Sequence, residues 1–147
     1  MGVVNTDLVI YTASNMPENN TSIVGGDINS GIRASFDDPS SASLVIIYSS
    51  SGTDTSQNLT LTGRTDAGTI ISESLALNGA SNVTSVYTYG RILTASLDAV
   101  AVGNITVSGS AVNKITDIPV GESGFRRPFY DATASVDTSK TYYEKVF

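Results

Sequence analysis

The sequence predicts an all-β chain, an antiparallel Ig-like β-sandwich with an extended C-terminal arm. Short stretches rich in Val, Ile, Leu and Thr recur roughly every ten to fifteen residues, which is the spacing of strands in such sandwiches. Gly, Asn and Asp stand between these stretches, where turns are needed. No window carries an apolar stripe with the 3.6-residue period of a helix, so we expect little helix. We assign residues 1–120 to the sandwich domain and residues 121–147 to the arm.

Three strands are expected in the first third of the chain. Residues 8–13 form the first apolar stretch, and residues 32–36 alternate between apolar and polar side chains before a turn at residues 37–40. Residues 44–48, Leu-Val-Ile-Ile-Tyr, are apolar at every position. Because both faces of this strand then carry apolar side chains, we expect it to be central in its sheet and covered on both sides.

A β-hairpin over residues 57–78 is the clearest local prediction. Leu59 and Leu61 alternate with polar residues in its first arm, and Leu75 and Leu77 alternate with the small side chains of Ser74 and Ala76 in its return arm. Thr-Asp-Ala-Gly at positions 65–68 supplies the turn, since its glycine can take a positive φ. We therefore expect the four leucines to face the core.

Glu73 interrupts the apolar face of that hairpin. A carboxylate between Ile71 and Leu75 needs a partner, and Arg64 across the turn is a candidate. Such pairs usually have a structural role, so we assign no function to it.

The composition changes after three further strands, which we expect at residues 86–97, 104–108 and 114–118. The change falls near Pro-Val-Gly at 119–121. Residues 1–100 contain nine acidic and three basic side chains, a balance of 3 − 9 = −6, whereas residues 101–147 contain five of each.

The C-terminal arm concentrates aromatic and cationic side chains. Six of the chain's eleven Phe and Tyr residues lie in its last 23 positions. Buried protein–protein interfaces are enriched in aromatic residues and Arg. The residues expected to bind a partner are Phe125, Arg126, Arg127, Phe129, Tyr130, Tyr142, Tyr143 and Phe147. The arm either packs on its own domain or adds residues 142–147 as a strand to the sheet edge of a neighbouring subunit, and we favour the neighbour.

The chain contains no His, no Cys and no Trp. Most catalysis near neutral pH depends on His, on Cys or on a metal that they hold. We therefore expect no enzyme activity, no catalytic residue and no cofactor. Residues 27–31, Asp-Ile-Asn-Ser-Gly, resemble part of a calcium loop, but the glycine stands fifth rather than sixth, so we expect no metal site.

Charge and hydropathy argue against two further classes of partner. The formal net charge of −6 repels phosphate backbones, so we expect no nucleic acid. The longest apolar run, residues 44–48, is far too short to span a bilayer, and the N-terminus lacks the features of a signal peptide. We therefore expect no membrane association.

Several motifs resemble those of small structural proteins from tailed-bacteriophage virions. Residues 59–68, Leu-Thr-Leu-Thr-Gly-Arg-Thr-Asp-Ala-Gly, precede Ile-Ile-Ser-Glu-Ser-Leu-Ala-Leu-Asn-Gly at 70–79, and Arg-Ile-Leu follows at 91–93. In that family a V-T-G-R-(N/T)-x-x-G turn leads to an (S/T)-E-(S/T)-L-x-L-N-G strand and then to an R-I-L segment. Residues 11–18 and 143–147 look like the same group, so the resemblance covers most of the chain.

The resemblance implies a part of a virion that is assembled in the host cytoplasm. The expected function is that of a capsid decoration or cement protein, a homo-oligomer on the virion whose partners are the major capsid protein and copies of itself. Such a protein uses many weak contacts repeated by symmetry. The alternative is a tail- or fibre-associated Ig-like adhesion module that binds host-surface glycans. That function needs exposed aromatic side chains on a rigid face, for which Tyr48, Tyr87 and Tyr89 are the candidates.

Overall fold

The computed structural model describes residues 9–13, 27–109 and 114–128. Within these ranges the chain forms strands and no helix, which confirms the predicted all-β class. The strands are β1 (Tyr11–Ala13), β2 (Ile28–Ala34), β3 (Ser43–Ser49), β4 (Asn58–Arg64), β5 (Ile70–Ala76), β6 (Val83–Tyr89), β7 (Arg91–Leu97), β8 (Ile105–Gly109), β9 (Lys114–Ile118) and β10 (Gly124–Arg126).

The strands form two sheets whose apolar faces meet. One sheet has six strands in the order β1-β2-β10-β7-β4-β5, and the other has four in the order β6-β3-β8-β9. These neighbours pair antiparallel except β2 and β10, which run parallel. Val45 and Ile47 of the smaller sheet share one buried cluster with Leu59, Leu61 and Phe125 of the larger sheet. The core therefore lies between the two sheets, as in a β-sandwich.

The predicted hairpin is confirmed as β4 and β5. Leu59 pairs with Leu75 across the two strands. Both residues are buried, as are Leu61 and Leu77. Gly68 closes the turn with a φ of 82°, a conformation that residues with a Cβ rarely adopt.

The prediction for residues 44–48 is correct in one respect and wrong in another. β3 is central in the four-stranded sheet, between β6 and β8, and Val45 and Ile47 are buried. The opposite face of β3 carries Leu44 and Tyr48, which are 37% and 36% exposed, so this strand is not covered on both sides. One face of an antiparallel sheet can remain solvated, and β-branched or aromatic residues also suit a half-exposed pleated surface.

Residues 86–97, expected as one strand, belong to two. β6 ends at Tyr89 in the four-stranded sheet, and β7 begins at Arg91 in the six-stranded sheet. Gly90 makes the crossing between the sheets. A Cβ at this position would lie 2.4 Å from Oδ1 of Asp66, so the passage past the β4–β5 turn has no room for a side chain.

The sandwich extends past the boundary predicted at residue 120. β10 lies between β2 and β7, and it is the strand that joins the β1–β2 pair to the rest of the described six-stranded sheet. Phe125 is buried within the shared core. Gly124–Arg126 therefore pack on their own domain as the hydrogen-bonding neighbour of β2 and β7, which is the own-domain alternative for this part of the predicted arm. The remainder of the predicted arm, residues 129–147, lies outside the described residues.

Leu75→Ala should lower the free energy of unfolding by about 2–5 kcal/mol, because it leaves a cavity between the sheets. Urea denaturation of the full chain measures this change. Ser74→Ala, at the exposed neighbouring position, is the matched control and should shift stability by less than about 0.5 kcal/mol. Equal effects of the two substitutions would contradict the burial of Leu75.

Candidate interaction surface

Three of the eight predicted partner-binding residues lie in the described part of the chain: Phe125, Arg126 and Arg127. Phe125 packs in the core with 2% of its surface exposed, so its ring is not available to a partner. Arg126 is half-buried on β10. The other five residues, Phe129, Tyr130, Tyr142, Tyr143 and Phe147, lie outside the described residues.

Arg127 makes an ion pair and hydrogen bonds within its own chain. Its Nη2 lies 2.6 Å from Oδ1 of Asp38 and donates to the carbonyl oxygen of Phe36 at 2.8 Å, and its Nε donates to the carbonyl of Ile92 at 3.1 Å. Its guanidinium carbon lies 5.9 Å from the centroid of the Phe36 ring, within the range of a cation–π contact. Asp38 also accepts a hydrogen bond from the Ile92 amide at 3.0 Å. Arg127 therefore holds the loop after β2 against the start of β7.

Glu122 makes a second internal ionic contact, just before β10. Its carboxylate accepts hydrogen bonds from Nε of Arg33 at 2.6 Å and from the hydroxyl of Tyr11 at 3.0 Å. Glu122 is 7% exposed, so water screens the ion pair less than it would at the surface. The contact ties β1 and β2 to the connection that leads into β10.

Glu73, the charged residue on the otherwise apolar face of the hairpin, accepts its hydrogen bonds from β6. It accepts hydrogen bonds from the hydroxyl of Tyr89 at 2.9 Å and from the backbone amides of Val86 and Tyr87 at 2.9 and 3.4 Å. Burial and the hydrogen bond to Glu73 raise the pKa of Tyr89 above its ordinary value. Arg64, the partner that the sequence suggested, donates from Nη1 to the carbonyl of Gly68 in its own turn at 2.6 Å.

The Glu73 carboxylate stabilises an irregular part of β6. Thr84 pairs with Ile46 and Thr88 pairs with Leu44, so four residues along β6 lie opposite only two along β3. The extra residues of β6 form a bulge between these two pairs. Bulges of this kind redirect side chains. Val86, at the bulge, is 83% exposed.

Four loops of the described part of the chain lie at one end of the sandwich, and we call them the tip: residues 50–57, 77–82, 98–104 and 119–123. The strand registers place these loops together, since Ser49 pairs with Ile105, which pairs with Ile118. The turn at residues 65–69 and the contacts of Arg127 lie at the opposite end.

Asp54 organises the tip from within. Its side chain is fully buried, and its Oδ2 accepts hydrogen bonds from Oγ of Ser49 at 2.5 Å and from the amide of Gly103 at 2.9 Å. Its Oδ1 accepts from the amide of Val102 at 2.8 Å and from Nε2 of Gln57 at 3.3 Å. Burial alone would raise the pKa of Asp54, but these hydrogen bonds, that from Ser49 foremost, hold the pKa below its ordinary value. The carboxylate therefore remains charged and links the β3–β4 loop to the β7–β8 loop.

The tip loops also meet through their backbones. The amide of Gly79 donates to the carbonyl of Asp54 at 2.8 Å, and a Cβ on Gly79 would lie 2.7 Å from the carbonyl oxygen of Gly52. A Cβ on Gly103 would lie 2.6 Å from the backbone nitrogen of Ser51. These approaches leave no room for side chains, so the loops are packed backbone against backbone.

Three valines project from this packed backbone. Val100, Val102 and Val120 are 57%, 66% and 58% exposed. The amide of Val102 bonds to Asp54, the carbonyl of Val100 accepts from Gln57 at 3.5 Å, and the amide of Val120 donates to Oδ1 of Asn104 at 3.1 Å. Residues 99–104 and 119–121 contain no ionisable side chain, although the chain as a whole carries a net charge of −6. These two stretches of the tip thus present exposed apolar side chains on a fixed backbone, and the exposed Asp98 adjoins one of them.

Asp54 and the three valines are not among the residues predicted from the sequence. Asp54 lies in a stretch rich in Ser, Thr and Gly, which is typical of a polar surface loop and carries no sign of burial. The valines do carry a signal, because Ala-Val-Ala-Val-Gly at 99–103 is an apolar stretch between two predicted strands, where polar turn residues are the rule.

No protein-family model, no curated protein and no solved structure matches this chain. Within residues 9–13, 27–109 and 114–128, no group of three or more His, Cys, Asp or Glu side chains comes together in a way that could hold a metal ion. The same residues include no helix long and apolar enough to cross a membrane.

Asp54→Asn should destabilise the fold at neutral pH by about 2 kcal/mol or more, because the new amide turns N–H groups toward the donors that the carboxylate satisfied. The folded-state pKa of Asp54 lies below its ordinary value of 3.8. The carboxylate therefore contributes stability above pH 3.8, and this contribution is lost as the pH falls through the lowered pKa. Denaturant unfolding at several pH values should show the difference between wild type and variant shrinking in acid.

The exposed Asp66 provides the control for this prediction. Asp66→Asn removes the same charge without removing a buried acceptor, so it should leave stability at neutral pH nearly unchanged. A loss for Asp54→Asn that stays constant down to the most acidic pH, or an equal loss for Asp66→Asn, would contradict the role given to Asp54.

Proposed function

We propose that this protein is a structural component of a tailed-phage virion, a capsid decoration or cement protein that binds the outer shell and stabilises it. Its partners in this proposal are the major capsid protein and copies of itself, arranged as a homo-oligomer on the virion. The motifs that resemble this family, at residues 59–79 and 91–93, lie on β4, β5 and the start of β7, which are neighbours in the six-stranded sheet. An Ig-like classification of the sandwich is part of the same proposal.

The observation that carries the proposal is the exposure of apolar side chains on a backbone fixed by internal hydrogen bonds. Val102 is held by Asp54, and Val86 is held by Glu73, yet both side chains point largely into solvent. A surface that is already ordered loses little conformational entropy on binding. Such surfaces favour a protein that binds other proteins, and we propose no enzyme activity and no nucleic-acid or membrane partner for it.

The positions of the charged side chains support a structural role. Asp38, Asp54, Glu73 and Glu122 each accept hydrogen bonds from distant parts of the same chain. These contacts join loops and sheets to one another. Groups used in this way stabilise the frame that carries the binding surface.

In this proposal the arm begins at residue 129, since residues 121–128 belong to the sandwich. Its contact residues dock on a neighbouring subunit, and they are Phe129, Tyr130, Tyr142, Tyr143 and Phe147. Phe125 and Arg127 belong to the sandwich and take no part in this contact. The arm's aromatic composition favours such a contact.

The second candidate function is the tail- or fibre-associated adhesion module that binds host-surface glycans. Tyr48 and Tyr87 favour it, because they are 36% and 46% exposed and can stack on sugar rings. Tyr89 does not, because it is fully buried and bonded to Glu73. Two separate tyrosines make a smaller aromatic platform than the sequence suggested, so the shell-binding function is preferred.

Sedimentation of the purified full chain with separated particles tests the main proposal. Mixed with DNA-filled heads or with isolated tails of the phage that encodes it, the protein should co-migrate with heads in a sucrose gradient. Binding to tails or to host cells, with bare heads, would favour the adhesion module instead.

Two shortened chains test where the arm begins. A chain ending at Pro128 should remain folded and soluble but bind heads weakly, because it lacks the arm's aromatic residues. A chain ending at Gly124 should be strongly destabilised, because it also lacks the core ring of Phe125 and the contacts of Arg127. Circular dichroism melting curves and sedimentation compare the two. Unfolding of the chain that ends at Pro128 would place the arm in the domain's own core and refute docking on a neighbour.

A further inference from the structure

We propose that Glu73 closes the edge of β6 against pairing with a second copy of this chain. Its carboxylate accepts hydrogen bonds from the backbone amides of Val86 and Tyr87, which an added strand would otherwise use. The inference concerns contacts within the described chain, so it does not depend on the proposed decoration function.

β6 has the composition of a strand that pairs readily with other chains. Its residues, Val-Thr-Ser-Val-Tyr-Thr-Tyr at 83–89, are mostly β-branched or aromatic and include no proline or glycine. Residues 74–90 contain no Asp, Glu, Lys or Arg, so no charge on β6 itself repels a second copy. Segments of six or seven such residues form intermolecular sheets when they lie at an edge. β6 is an edge strand of the four-stranded sheet in the described part of the chain, and it therefore needs protection.

The bulge of β6 is closed by side chains on both of its sides. Ser85, Val86 and Tyr87 have no paired residue on β3. On the β3 side, the hydroxyl of Ser85 accepts from the amide of Val45 at 2.8 Å and donates to the carbonyl of Tyr87 at 2.8 Å. The amides of Val86 and Tyr87 find their acceptor outside this sheet, in the Glu73 carboxylate at 2.9 and 3.4 Å.

The Glu73 carboxylate reaches β6 from the other sheet. Glu73 pairs with the buried Leu61, so its side chain lies on the core-facing side of β5. The buried Tyr89 donates its hydroxyl to this carboxylate at 2.9 Å and so fixes it from the core. Inward-pointing charges and bulges are two means by which proteins prevent pairing between sheet edges, and β6 has both.

A strand added to β6 would have to displace this carboxylate from two amides. Hydrogen bonds to an ionised acceptor are roughly twice as strong as those to a neutral one, and the carbonyls of an incoming strand are neutral. The displaced carboxylate would also remain at the new junction with fewer donors. The side chain of Val86 is 83% exposed and takes no part in the closure, which therefore blocks backbone pairing and leaves the side-chain surface accessible.

Glu73→Ala in the full chain tests this closure. Without the carboxylate the β6 amides can pair with another copy, so thioflavin T fluorescence should develop about tenfold faster than for wild type or more. Sedimentation velocity should show larger species in the same samples. The double variant Glu73→Ala/Val86→Lys should return both measurements to near the wild-type result, because lysine at this exposed position places a charge on the edge strand.

Two controls separate an open edge from a loss of stability or of charge. Tyr89→Phe removes one hydrogen bond of Glu73 and leaves both amide contacts, so it should lower the melting temperature without association. Asp66→Ala removes the same negative charge at an exposed turn position, so it should behave like wild type. Glu73→Gln, which keeps the shape of the side chain but only one acceptor oxygen, should associate more than Tyr89→Phe does.

Each result decides the inference. No faster association for a folded Glu73→Ala, or equally fast association for Tyr89→Phe or Asp66→Ala, would overturn it. Association that Val86→Lys does not reverse would place the pairing at another edge and would also overturn it. If circular dichroism shows Glu73→Ala to be unfolded, Glu73→Gln decides, and association no faster than that of Tyr89→Phe would contradict the closure.

Discussion

The charge of Asp54 is the constraint on which the arrangement of one end of the molecule depends. A carboxylate removed from water is tolerated only when hydrogen bonds replace its hydration. Here the donors come from Ser49 at the end of β3, from Gln57 just before β4, and from the backbone at residues 102–103. β3 and β4 belong to different sheets, as do β7 and β8, so this one side chain links two of the connections that cross between the sheets. Asp54 thereby bonds loop 50–57 to loop 98–104, and each of these loops crosses from one sheet to the other.

Other carboxylates around the sandwich, less buried than Asp54, also accept hydrogen bonds from residues distant in the chain. At the end opposite the tip, Asp38 receives Arg127 and the Ile92 amide, and along one side Glu73 joins β5 to β6 through Tyr89. The interior between the sheets is apolar, whereas the connections around it are held by carboxylates and their donors. This division explains why an acidic chain without disulfides or histidine presents ordered loops. It also explains how valine side chains can remain exposed on those loops, because the hydrogen bonds fix the loop backbone.

The sequence predicted the features that depend on near neighbours. Leu59, Leu61, Leu75 and Leu77 follow a two-residue period on either side of a turn that ends in Gly68, and both signals are local. The places of β10 and Asp54 could not be predicted in this way. β10 is a strand only because β2 and β7 lie on either side of it, and β2 is far earlier in the chain. Asp54 is buried only because loops distant in sequence fold over it, and its neighbours are those of any polar loop. The aromatic and cationic composition after residue 124 favoured contact with a partner, whereas the described contacts of Phe125 and Arg127 are with their own chain.

The insertion of β10 between β2 and β7 has a consequence for the order in which the molecule folds. β1 and β2 precede nearly all of the sandwich along the chain, yet their link to the larger sheet forms through a strand near residue 125. During synthesis, β3 to β9 can pair with one another as they emerge, whereas β2 has to wait until residues 124–126 have left the ribosome. Pairings between such distant segments carry a large loop-closure entropy and slow the final step of folding. An exposed β2 edge before that step offers a pairing site to other nascent chains, and β10 removes this site once it pairs with β2.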